Sequence, residues 1–104
     1  LTDLRLKKSE KKYIQFIIKD EDDNRLDLTG CEATLQIQKY GESTLRVNSS
    51  LNITDATEGE CRYYYQGNLP VGYYKGEIEV TTEAGLTLIT KTFTLEVIAD
   101  LPET

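Results

Sequence analysis

There is no histidine anywhere in these 104 residues. That removes the usual general base near neutral pH, the commonest metal ligand and every Ser-His or Cys-His pair. Two cysteines without histidine fall short of the roughly four ligands a zinc site needs. No glycine-rich phosphate loop occurs. No run of about 18 apolar residues occurs, so no stretch reads as a membrane-spanning helix, and none reads as a signal peptide. Methionine is absent even at position 1, which suggests a start after a processing or cloning boundary. Tryptophan is absent and proline occurs only twice, while tyrosine occurs seven times, a balance that suits an all-β chain. Positive charge is also short: 12 Lys and Arg against 18 Asp and Glu, a net −6. Nonspecific nucleic-acid binding, which needs clustered cations, is therefore disfavoured.

What remains is enough for one domain and not two. With 38% hydrophobic and 29% charged residues the chain is globular rather than disordered. One local basic run stands out, Arg5, Lys7, Lys8, Lys11 and Lys12. It could meet an anionic partner, but lysine is also how edge strands resist pairing with strangers, and a solvated edge is the favoured reading.

The pattern along the chain has a period of two. Leu4 and Leu6 alternate with Arg5 and Lys7 in a first strand. After Ser9–Lys12, a strand over Tyr13–Lys19 places Ile14, Phe16 and Ile18 on one face and leaves Ile17 as a lone apolar residue on the other. Asp20–Asn24 is an acidic turn. Leu26 and Leu28 resume alternation before Thr29-Gly30 turns the chain. Cys31, Ala33, Leu35 and Ile37 form the cleanest alternating run, followed by a loop at Tyr40–Ser43 and a short strand with Leu45 and Val47. The stretch from Leu51 to Val80 reads as strand, turn, strand, turn, strand. Cys61, Tyr63 and Tyr65 point inward in the middle strand, and Tyr74, Gly76, Ile78 and Val80 in the last. A hairpin turn at Thr81–Gly85 leads to a strand from Leu86 to Ile98. Its apolar phase changes between Leu88 and Phe93, which predicts a bulge near Ile89–Lys91. Asp100–Thr104 reads as a tail or the start of a linker.

No amphipathic helix appears. About seven to nine short antiparallel strands with turns about every 8 to 12 residues predict a β-sandwich of immunoglobulin type, with an open barrel as the alternative. Tyr74 follows a Pro-x-Gly corner and opens a strand, so it fits either a tyrosine corner or an ordinary core position. Cys31 and Cys61 both fall on inward faces, where free buried thiols are favoured over a disulfide. Asp20, Asp22 and Asn24 share the opening spacing of a calcium loop, but Arg25 and Cys31 stand where that loop needs glycine and glutamate. A solvated hairpin turn is the favoured reading. Tyr64 and Tyr73 point outward and are expected to form a cross-strand pair rather than a sugar-stacking platform.

Three segments, in order, carry a resemblance. Leu26-Asp27-Leu28-Thr29-Gly30-Cys31 resembles a "D-L-T-G-A" corner. Ile53-Thr54-Asp55-Ala56-Thr57-Glu58-Gly59-Glu60-Cys61-Arg62-Tyr63 resembles an "I-x-D-A-x-x-G-x-V-x-Y" hairpin. Leu69-Pro70-Val71-Gly72-Tyr73-Tyr74-Lys75-Gly76-Glu77 resembles "G-x-Y-x-x-E". Together they are similar to the N-terminal domain of the baseplate upper protein of tailed bacteriophages and to related immunoglobulin-like phage tail domains, from about Leu4 to Ile98. Cys31 departs from the family's small residue.

The resemblance implies a non-enzymatic structural module of a phage tail or baseplate, assembled in the bacterial host cytoplasm. It would attach to other tail or baseplate proteins and form a trimer or hexamer in some settings. No nucleic-acid or membrane partner, no cofactor, no metal and no catalytic residue are expected. The domain is expected to span 1–104, with 99–104 as tail. The alternative is a carbohydrate- or cell-surface-binding sandwich of adhesin type.

Overall fold

Residues 3–101 are described by a computed structural model, and alternation has become nine strands among them. They are β1 (Leu4–Lys7), β2 (Lys12–Ile17), β3 (Glu32–Lys39), β4 (Leu45–Ser50), β5 (Asn52–Asp55), β6 (Glu60–Tyr65), β7 (Gly72–Thr81), β8 (Thr87–Ile89) and β9 (Phe93–Ile98). The expected tail lies partly outside the described residues, at Pro102, Glu103 and Thr104.

The strands form two sheets. The larger runs β1-β9-β7-β3-β4, with β8 also on β7; the smaller runs β2-β6-β5. Every pairing is antiparallel except β1 on β9, which is parallel. No hairpin joins β1 to β9, so their connection does not force them to run antiparallel. The inner faces meet in one core that includes Leu6, Ile14, Leu35, Ile37, Cys61, Tyr65, Tyr74, Ile78, Val80 and Leu95. These are the residues the two-residue period places inward. Burying each such aliphatic side chain contributes about 1.5–3 kcal/mol.

Several turns have identifiable causes. In the acidic turn, one oxygen of Asp20 accepts the amides of Asp22 (2.9 Å) and Asn24 (3.0 Å), which is the work its spacing does here. At the Asp27–Gly30 corner, Asp27 accepts both the amide (2.9 Å) and the hydroxyl (2.6 Å) of Thr29. These bonds hold the Asp27 carboxyl below its usual pKa. Tyr74 is fully buried, and its hydroxyl donates to the carbonyl of Pro70 four residues upstream. It is thus both a core residue and a corner.

The single long strand expected from Leu86 to Ile98 is two strands. Gly76 faces Phe93 and Glu79 faces Ile89, so three steps along β7 match four along its partner. One extra residue is inserted between β8 and β9, where the phase change in the sequence predicts a bulge. Thr90 fills the break: its amide donates to the Ile78 carbonyl (3.0 Å) and its hydroxyl accepts the Ile78 amide (2.9 Å).

The cysteines are free. Cys61 is fully buried and burial pushes its thiol up to about 11, whereas Cys31 is half-buried. The folded pKa lies above the ordinary 9.0, so the contribution of the neutral thiol is complete below pH about 9 and is lost as pH rises towards about 11. A thiol reagent at pH 8 is expected to modify Cys31 in the folded chain and Cys61 only after urea unfolding. Equal rates for both in the native state would contradict the packing.

Candidate interaction surface

The basic run spans β1, an edge strand of the larger sheet, the link after it and the first residue of β2 in the smaller sheet. Arg5 pairs with Glu96 (3.0 Å) and Lys12 with Glu10 (3.3 Å), while Lys7, Lys8 and Lys11 are exposed. This is a solvated, lysine-bearing edge.

The outward tyrosines are arranged otherwise than the alternation alone suggests. Tyr64 and Tyr73 are not a cross-strand pair: β6 and β7 belong to different sheets, so the two rings face away from each other across the sandwich. The reason is the link between them. Gly67 adopts a positive φ of 72°, Leu69 is buried, and the chain crosses from one sheet to the other instead of making a hairpin. Tyr64 pairs with Tyr13 of β2, ring centroids 5.1 Å apart and tilted by 54°. The Arg62 guanidinium covers the Tyr13 ring at 4.0 Å, and its Nε is buried there without a hydrogen-bond partner. A tilted pair with one face taken by a cation offers little flat surface for a sugar ring.

The other exposed apolar group was only half legible. Ile17 is 44% exposed, Leu86 63%, Leu88 43% and Ile89 61%. Leu88 faces Val80 across the ladder and therefore lies on the core side of β8. Yet β8 is attached to β7 alone and β2 is the outermost strand of its sheet. Between these two edges the sandwich is open. Phe16 and Phe93 meet at the bottom, centroids 5.7 Å apart, and join the two sheets there. Above them is a groove of about 410 Å³ lined by Phe16, Ile17, Ile18, Ile78, Ile89 and Phe93. Asp20, Glu21 and Asp23 stand on its rim beside Lys19 and Lys91. A second hollow of about 460 Å³ continues it between the acidic turn and β8.

Backbone groups at both edges are open. Ile18 and Asp20 turn their amides inward, to Gly59 and Asn24. Alternation then sends those of Ile17 and Lys19 outward. On β8, Thr90 bonds to β7, so Thr87 and Ile89 present their N–H and C=O groups to the opening.

The family model for the BppU N-terminal domain matches residues 2–104. No curated protein matches the chain.

Proposed function

The chain belongs to the BppU N-terminal domain family, that of the phage baseplate upper protein, and from that premise we propose that it attaches neighbouring virion subunits through exposed sheet edges. Family membership makes it a structural domain of the tail or baseplate, associated with other proteins there. The finer reading is a non-enzymatic attachment module made in the host cytoplasm. One observation carries it: the exposed apolar residues Ile17 of β2 and Leu88 and Ile89 of β8 line the opening between the two strand edges. Grouped apolar exposure beside open backbone is a recurrent recognition surface.

Residues 1–104 are read as one immunoglobulin-like domain, with 99–104 as its tail or the start of a linker. The strand order supports this. β2-β6-β5 follows the B-E-D order of that fold, and β9-β7-β3-β4 follows G-F-C-C′. The Tyr74–Pro70 corner supports it too.

Purified chain added to tails assembled without this protein is expected to co-sediment with them and to saturate. Chain that stays in the supernatant with intact tails contradicts attachment. A parallel binding assay on host cell-wall polysaccharide addresses the adhesin reading, for which the exposed Tyr13–Tyr64 pair is the only support. Light scattering decides whether the chain alone forms a trimer or hexamer.

A further inference from the structure

In the immunoglobulin arrangement a strand A lies beside B on the smaller sheet. Here the strand in the B position, β2, has no neighbour on that side among the described residues. The chain's first strand, β1, is committed to β9, from Leu4 opposite Leu95 to Lys7 opposite Ile98. It covers that flank of the larger sheet only as far as β9, so β8, further along the same flank, has no strand beyond it among the described residues. The groove therefore lies where that neighbouring strand would run. Its floor is Phe16, Ile78 and Phe93, and its walls carry the outward backbone groups of Ile17 and Ile89.

We propose that this groove receives an extended segment of a neighbouring tail protein, which adds as a strand to β8 and carries lysine or arginine towards Asp20–Asp23. This rests on the attachment reading and names the partner's chemistry. Two observations choose the occupant. The lining is apolar and open along two strand edges, which suits a segment with an apolar side chain at every second residue. The rim is acidic on balance: Asp20, Glu21 and Asp23, with Asp22 on the adjoining hollow, stand against Lys19 and Lys91, and of the four carboxylates only Asp23 is in an ion pair, with Lys19 at 3.5 Å. Asp20 has one oxygen engaged by its own turn, which leaves Glu21 and Asp22 to meet a cation. The same charges disfavour a second copy placed groove to groove, because identical carboxylates would face each other.

The probe is a blocked heptapeptide of alternating valine and lysine, followed by amide NMR of the 104-residue chain. Two controls accompany it: a valine–glutamate peptide, and the lysine peptide with N-methylated backbone, which cannot pair with an edge. The lysine peptide is expected to shift the amides of Ile17, Thr87 and Ile89. Both controls should bind at least about tenfold more weakly. Ile89→Asp, at an exposed position, should weaken the lysine peptide by a similar factor with an unchanged urea midpoint. Absent shifts, shifts centred on Tyr13 and Tyr64, or equal binding of the glutamate peptide each overturn the proposal. Tails distinguish the two levels. If wild-type and Ile89→Asp chains co-sediment equally, the groove is wrong and attachment stands; if neither does, attachment itself fails.

Discussion

Gly59→Ala is expected to lower stability by about 3 kcal/mol or more. Two costs coincide there. Gly59 has a φ of +70°, which L side chains rarely adopt, and a Cβ would stand 2.7 Å from the backbone oxygens of both Ile18 and Leu26. Neither oxygen can step aside cheaply. Ile18 O accepts the amide of Leu26 (2.9 Å), and the Ile18 amide donates to Gly59 O (2.8 Å). The strain would therefore pass into the end of β2 and one wall of the groove. Gly41→Ala is the control. Gly41 has a φ of +85° but nothing within 4 Å of its Cβ position, so only the conformational cost of about 1 kcal/mol applies. Urea denaturation of both variants checks the difference. Equal midpoints would mean that the crowding at Gly59 is not real.

Tyr74 should show the second large effect, divided between its ring and its hydroxyl. The side chain is fully buried at the start of β7, opposite Leu95. Tyr74→Ala removes the ring and leaves a cavity between the sheets, at a cost of about 3–5 kcal/mol. Tyr74→Phe keeps the packing and deletes only the bond to Pro70 O. A carbonyl left without its donor costs about 1–3 kcal/mol. Burial raises the pKa of the Tyr74 phenol, so the wild-type protein should also lose stability as pH rises past the ordinary value of 10.0. Tyr74→Phe should lose less over the same interval. A phenylalanine variant as stable as wild type, with the same alkaline profile, would show that the corner bond is idle and Tyr74 is a packing residue only.

Much of this was readable from alternation, and the exceptions share a cause. Ala33, Leu35 and Ile37 go inward because one face of β3 is buried and a slip would turn all three to water. Ile17 was correctly read as an apolar residue on the wet side, and the phase change after Leu88 located an inserted residue. The period of two says which face a residue takes. It does not say which strand lies beside it. That is why Tyr64 was paired with Tyr73 rather than with Tyr13, and why the parallel β1–β9 contact carried no local signal. The groove was missed for the same reason. Leu86 and Leu88 had inward phase, but β8 extends past the cover of the smaller sheet, and only the assembled sheets reveal that. The three turn segments that carried the family resemblance are structural: Asp27 holds a corner, Gly59 accepts a close approach and Tyr74 ties β7 to the link before it.

On the proposed reading the molecule works by presenting the open edges beside its acidic turn to another tail protein. Hydrogen exchange on the chain, free and bound to tails that lack it, is the decisive measurement. Slowed exchange on binding is expected at Ile17, Lys19, Thr87 and Ile89, whose backbone groups face outward. Little change is expected at β4 and β5, at the opposite ends of their sheets. Protection confined to β4, β5 or the Tyr13–Tyr64 face, with β8 exchanging as in the free chain, would contradict it.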